Sequence, residues 1–278
     1  MSFESPGAVL RRHGLVARKS WGQNFLVAPN VHAAIVAASG AGEGTRVVEI
    51  GAGLGTLTAG LLATGAEVWA IERDRDLCQV LRAELGAHER MRLFEADAVR
   101  FDYASACDPA HPRPIIVGNL PYHLTAPLLF ALLDRNDCTG DWVVMVQREV
   151  AERLVAPPGS RTYGGLSVVM QRHRVLEWII AAPPGAFLPP PKVESAVVRL
   201  RPRPAPLGAV DDELGLRQLV RAAFQQRRKT LLNALSPLGG RAAAGAWCAE
   251  AGIDPGVRPE RLSPEQFAAL QRARERAR

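Results

Sequence analysis

The chain is poor in cysteine and has no cysteine pair. Cys78, Cys107, Cys138 and Cys248 are widely spaced with no C-x-x-C, which argues against both a zinc knuckle and a disulfide framework. They read as free thiols. No apolar stretch approaches the roughly 18–20 uncharged residues that a membrane helix needs, and Met1-Ser2-Phe3-Glu4-Ser5-Pro6 lacks the cationic-then-apolar order of an export signal. A cytoplasmic protein with no membrane partner and no metal is expected. Internal repeats and low-complexity tracts are absent as well. What is present is globular material: 278 residues, 47% of them hydrophobic, enough for one large domain and a smaller one.

Charge is distributed unevenly. Residues 1–29 carry four Lys/Arg against one Asp/Glu, residues 203–278 carry thirteen against eight, and the stretch between them seventeen against nineteen. Two basic ends around a near-neutral body offer two electrostatic handles for a polyanion, although solvated helix faces would give the same counts. The candidates for phosphate contacts are Arg11, Arg12, Arg18 and Lys19 at one end, and Arg221, Arg227, Arg228 and Lys229 at the other.

From residue 46, short β-branched runs alternate with helical ones. Candidate strands are Arg46–Ile50, Glu67–Ile71, Met91–Glu95, Ile115–Gly118 and Trp142–Val146, with helices over Thr56–Thr64, Arg75–Leu85 and Thr125–Leu133. Such alternation implies a parallel sheet covered on both faces, with function gathered at the carboxyl ends of its strands. Two further strands are expected around Val175–Ala181 and Ser195–Leu200, flanking a proline-rich loop. Alternating prolines in Arg201-Pro202-Arg203-Pro204-Ala205-Pro206 form a stiff linker, followed by a helical tail whose last helix is capped by Ser263 and Gln266. The expected organisation is a basic arm over 1–29, an α/β domain over 30–202 and a small all-α domain over 203–278.

Val47-Val48-Glu49-Ile50-Gly51-Ala52-Gly53-Leu54-Gly55-Thr56 is a strand running into a glycine-rich turn and a helix. A dinucleotide fingerprint would place its third glycine where Thr56 stands, so a dehydrogenase is disfavoured. The E-x-G-x-G-x-G form instead resembles the first motif of S-adenosylmethionine-dependent methyltransferases. Glu72 closes the second strand 21 residues after Gly51, where an acid can accept ribose hydroxyls. Asp97 follows the third strand, in a position to accept from an adenine amine, and Asn119 ends the fourth. Each could equally be a strand-end group satisfying a helix N-terminus.

Asn119-Leu120-Pro121-Tyr122 reads by itself as a β-turn, but it also resembles the [D/N]-P-P-[Y/F/W] element with which one class of methyltransferase handles an exocyclic amine. Such an amine is conjugated into its ring and is a poor nucleophile, so both N–H bonds must be held by acceptors and the ring fixed beside them. Asn119 offers a side-chain carbonyl, Leu120 a backbone carbonyl and Tyr122 a flat stacking face.

Taken in order, G-Q-N-F-L, E-I-G-A-G-L-G-T-L-T, I-E-R-D, E-A-D-A, N-L-P-Y and F-L-P-P-P-K-V resemble the ribosomal RNA small-subunit adenine N6,N6-dimethyltransferase family over essentially residues 17–270. The resemblance implies a Rossmann-like class I methyltransferase sheet of seven strands with a small all-α C-terminal RNA-binding domain. It implies S-adenosylmethionine as cofactor, with Asn24, Leu26, Gly51, Glu72, Asp97 and Asn119 around it. It also implies that Asn119 and Leu120 orient the target amine, while Tyr122 and Phe187 sandwich the adenine, the prolines after Phe187 stiffening the loop that presents it. The substrate implied is a pair of adjacent adenines in a hairpin loop near the 3′ end of 16S ribosomal RNA, within a pre-30S particle, acted on by a monomer. Two rivals remain: the resistance methylases acting on large-subunit ribosomal RNA, which usually carry N-I-P-Y, and noncatalytic assembly or transcription factors on the same fold.

Overall fold

The computed structural model describes residues 5–18, 22–226 and 228–277. In chain order the elements are α1 (Pro6–Arg12), β1 (Phe25–Leu26), α2 (Pro29–Ser39), β2 (Arg46–Ile50), α3 (Thr56–Ala63), β3 (Glu67–Glu72), α4 (Arg75–Leu85), β4 (Met91–Glu95), β5 (Ile115–Asn119) and α5 (Thr125–Leu133). They continue as β6 (Trp142–Gln147), α6 (Arg148–Val155), α7 (Gly165–His173), β7 (Arg174–Ala182), β8 (Phe187–Leu188), β9 (Ser195–Pro202), α8 (Glu213–Gln225), α9 (Leu231–Leu235), α10 (Gly240–Glu250) and α11 (Pro264–Arg276).

Seven strands form one sheet in the order β4-β3-β2-β5-β6-β9-β7. The run Arg46–Ile50 is buried along its whole length, as a central parallel strand must be, and it pairs in parallel with β3 on one side and β5 on the other. β4 and β6 extend the parallel register outward, whereas β9 runs antiparallel to β6, from Trp142↔Leu200 to Gln147↔Ser195. The sheet is therefore mixed: parallelism predicted from the βαβ alternation holds over β2 to β6, and β9 joins it the other way round. Strand order reverses between β2 and β5, so the chain leaves the carboxyl ends of these neighbours in opposite directions and opens a crevice there. Gly118 allows the two strands to approach, since a Cβ at that position would lie 2.7 Å from the Ile50 carbonyl oxygen.

One helix covering the sheet was not read from the sequence. α2 buries Val31 and Ile35 against a core that includes Leu26, Val47, Val143 and Met145. The two-residue strand β1 pairs antiparallel with β8, Leu26 opposite Phe187.

The described chain divides into two compact units, Met1–Ala151 with Glu177–Pro202, and Glu152–Leu176 with Arg203–Arg278. The break after residue 202 coincides with the proline-rich linker. Segment 152–176 departs from the expected 30–202 domain: α7 packs with the helices of the tail. Arg172, fully buried, donates to the Leu207 and Gly208 carbonyls at 3.1 and 2.6 Å and to both Glu213 carboxylate oxygens at 2.8 and 2.5 Å. Tyr163 donates to the Leu262 carbonyl at 2.9 Å, and its ring meets Phe224 edge-on. The last helix has the expected capping box, Ser263 with Gln266. Among the described residues no helix is long and apolar enough to cross a membrane.

Candidate active site

A cavity of about 350 Å³ opens at the crevice between β2 and β5, a volume within the range of small-molecule sites. Its walls are the carboxyl ends of successive strands: Glu49 and Gly51 from β2, Glu72 from β3, Asp97 after β4, and Asn119 with Tyr122 from β5 and the turn beyond it. Asn24 and Leu26 complete it from the amino-terminal side. Every residue expected around the cofactor is thus brought to one cavity, although these positions span almost a hundred residues of sequence.

The floor is the glycine turn. Gly51 and Gly53 have φ of 71° and 60°, a left-handed backbone that a side chain would strain, and the Gly51 and Ala52 amides fold back onto the Ile71 carbonyl at 2.9 and 3.2 Å. Glu72 secures this turn from β3. One carboxylate oxygen accepts from the Gly53 amide at 2.9 Å, and the other from the Arg73 and Asp74 amides at 2.7 and 2.8 Å. Burial raises its pKa, opposed by these three amide bonds. The oxygen that takes only the Gly53 amide keeps acceptor capacity, so Glu72 can shape the floor and still take a hydroxyl. Asp97 accepts from the Val99 amide at 3.0 Å and has Arg73 at 3.8 Å.

Asn119 donates its Nδ2 to the Asn24 carbonyl at 2.9 Å, which assigns the amide orientation and leaves Oδ1 as an acceptor. Leu120, buried, anchors its amide on the Met145 carbonyl at 3.0 Å, and none of the described residues donates to its own carbonyl. Tyr122 begins a 3-10 turn and is tethered by its hydroxyl, 2.7 Å from Ser195 Oγ. That bond fixes where the tip of the ring sits.

Phe187 does not provide a second face. It is 3% exposed, lies among Leu26, Ile35, Ala186 and Val197 in the core, and does not line the cavity. The reason is strand parity: successive side chains of β8 point to opposite sides, so Phe187 goes in while Leu188 goes out, 38% exposed. The F-L-P-P-P context suggested a presented ring; the pairing with β1 makes it a support for Leu26 instead.

The basic arm is also corrected in part. Val9 and Leu10 of α1 pack with Leu77 and Val80 of α4, which carries the arm's guanidiniums onto that helix's acids. Arg12 pairs with Glu84 at 2.7 Å, and Arg18 with Asp74 at 3.2 Å and with Asp76. Gln23, which belongs to the G-Q-N-F-L motif but carries no expected role, completes the clasp by donating to Asp74 at 2.7 Å while accepting from the Arg18 amide at 2.8 Å. These two arginines fasten the arm while remaining nearly half exposed, at 46% and 45%. Arg11, Arg221, Arg228 and Lys229 are exposed; Lys19 and Arg227 lie outside the described residues.

Comparison with known proteins agrees with this geometry. The profile of the family described as "Ribosomal RNA adenine dimethylase" matches residues 14–274. A protein of Anaeromyxobacter sp. (strain K) named "Ribosomal RNA small subunit methyltransferase A" is 51% identical over 280 residues, covering 97% of this chain and 98% of its own. Its counterpart of the same name in Pseudomonas aeruginosa is 44% identical over 254 residues, 91% of this chain and 93% of its own. Among solved structures, 23S rRNA methyltransferase ErmE superposes with a TM-score of 0.70 at 25% identity, covering 90% of this chain and 99% of that one. A dimethyladenosine transferase from Plasmodium falciparum shares the fold with a TM-score of 0.72 at 24% identity, covering 88% and 95%. A glycine turn at a β2/β5 crevice, an Asn-Leu-Pro-Tyr turn on the neighbouring strand end and a profile match over nearly the whole length converge on one conclusion: this chain belongs to the ribosomal RNA adenine dimethylase family.

Proposed function

We propose that the protein transfers methyl groups from S-adenosylmethionine to the N6 amines of two adjacent adenines in a hairpin loop near the 3′ end of small-subunit (16S) ribosomal RNA. The observation that carries the proposal is the convergence of Asn119, with Oδ1 left free to accept, and the Leu120 carbonyl on the same cavity as the glycine turn. The relatives that match over nearly full length carry a small-subunit name, which favours this substrate over large-subunit RNA. On this reading the protein works in the cytoplasm as a monomer on an assembling pre-30S particle.

The cavity suits the cofactor. It offers carboxylate and amide acceptors for hydroxyls and an amine, and its acids would repel a pyrophosphate. The cofactor supplies an electrophilic methyl group on a sulfonium. Glu72 and Asp97 hold its nucleoside, and Asn24, Leu26 and Gly51 enclose the remainder. Asn119 Oδ1 and the Leu120 carbonyl accept the two N–H bonds of the target amine, which directs its lone pair away from them and toward the cofactor side of the cavity. Tyr122 supplies a stacking face worth about 1–3 kcal/mol, offsetting part of the cost of taking an adenine out of its stack. Once attack has placed positive charge on nitrogen, the surplus proton is acidic enough to leave to water, so no strong base is needed. Arg11, Arg221, Arg228 and Lys229, with residues 203–278 as the RNA-binding domain, contact phosphates and set affinity rather than base identity.

Small-subunit particles from cells lacking the enzyme, incubated with labelled cofactor, should yield dimethyladenosine by mass spectrometry of the RNA. Label in large-subunit RNA, or none at all, refutes the proposal. Glu72→Gln should weaken cofactor binding by about tenfold, the worth of one charge-assisted hydrogen bond, as read by calorimetry. An unchanged affinity removes Glu72 from the ribose role.

A further inference from the structure

The cavity wall contains a carboxyl that the proposed mechanism does not use. Glu49 is 1% exposed, yet it borders the cavity, and Thr58 of α3 donates to its Oε2 at 2.6 Å. No cation pairs with it among the described residues. Glu72 faces it from the end of β3, with Asp74 just beyond, and Asp97 stands across the cavity. The charges of opposite sign on this wall are Arg73, 66% exposed and engaged with Asp97, and His123 when protonated. From α3 come the Thr58 hydroxyl and Thr56, which lines the cavity, and from α2 the His32 ring, which meets the Thr56 carbonyl at 2.9 Å. The charged groups lining the enclosed part of the cavity are therefore mainly acids.

Methyl transfer changes the charge of what occupies such a site. The donor is a sulfonium and the product a neutral thioether; the amino acid and nucleoside portions are otherwise the same. We propose that Glu49 and Glu72 form a charge filter that makes the cavity hold the cationic methyl donor more tightly than the thioether left after transfer. The proposal rests on the S-adenosylmethionine reading above and adds the means by which product is released in favour of fresh donor.

The filter has a pH signature. Burial, with the neighbouring Glu72 charge, pushes the Glu49 carboxyl up to about 8, so the ligand-free protein carries it protonated near neutrality. A cation in the cavity favours the ionised form, so donor binding releases a proton while product binding releases fewer. The preference for donor over product accordingly rises with pH and levels off once Glu49 is ionised in both complexes.

The test is calorimetry of the full chain with S-adenosylmethionine and with S-adenosylhomocysteine between pH 6.5 and 9. In the parent, the ratio of the two affinities should rise about tenfold, corresponding to a fall of one unit in the Glu49 pKa when the sulfonium is present. Donor titrations in two buffers of different ionisation enthalpy should report proton release near neutrality. The ligands' own amino groups titrate in the same range, and Glu49→Gln measures their contribution: its ratio should lose the extra rise. Thr58→Val removes the hydroxyl that favours the ionised form and should move the rise to higher pH; it also serves if Glu49→Gln fails to fold. A parent ratio that is flat in pH, an equal rise in Glu49→Gln, or an unshifted rise in Thr58→Val overturns the filter. If neither ligand binds the parent, the cofactor reading falls instead.

Discussion

Asn119→Ala should lower the single-turnover rate of methyl transfer by about 10²-fold or more, the scale on which misplacing a reacting group by an ångström acts. Two losses combine. The Oδ1 acceptor for one amine N–H disappears, and so does the Nδ2 bond to the Asn24 carbonyl at 2.9 Å, which ties the β5 end to the segment enclosing the cofactor. The proposed phosphate contacts lie elsewhere, so RNA affinity should change little, and the defect should appear in the rate rather than in binding. Quenched-flow measurement with labelled cofactor and saturating particles separates these quantities. A variant as fast as the parent would remove Asn119 from the chemistry.

Arg172→Met should destabilise the helical unit by about 2–4 kcal/mol. The methionine keeps much of the volume but strands the Leu207 and Gly208 carbonyls, which the guanidinium satisfies at partly buried positions. Its partner Glu213 is 43% exposed at the side chain and can turn to water, which is why the cost stays below that of a fully enclosed ion pair. Burial works against the Glu213 charge, but hydrogen bonds from His173 and Arg172 and the charge of Arg172 prevail and hold the carboxyl down to about 2. A depressed carboxyl stabilises the folded state fully above its unfolded value, and that contribution drains away as pH falls from there toward 2. Urea unfolding monitored on the helical unit at pH 7 and at pH 3 should therefore show a smaller gap between the two pH values in Arg172→Met than in the parent. Equal gaps would mean that Glu213 is held by something other than Arg172.

Much of the site was legible before any coordinates. Gly51, Glu72, Asp97 and Asn119 each end a short apolar run, and parallel strands joined by helices must deliver their carboxyl ends to the same edge, so the four had to meet. Their residue types are those the proposed cofactor and target amine require. What could not be read was anything that depends on parity or on contacts distant along the chain. Phe187 and Leu188 are equally apolar, and only the pairing of β8 with β1 decides that the aromatic ring turns inward. Arg12 and Arg18 look like any arm of free cations until the Val9 and Leu10 packing carries them to Glu84 and Asp74.

The same distinction covers the rest of the protein. The amino-acid order by itself determined the strand and helix alternation, the glycine turn and the Asn-Leu-Pro-Tyr turn, because these follow from local propensity and from spacing along one chain. Tertiary structure alone decided that 152–176 packs with the tail helices, that Glu49 is enclosed beside Glu72, and that Ser195 fixes the Tyr122 ring. Burial and partner choice are properties of surfaces brought together from remote positions, and no window of sequence contains them.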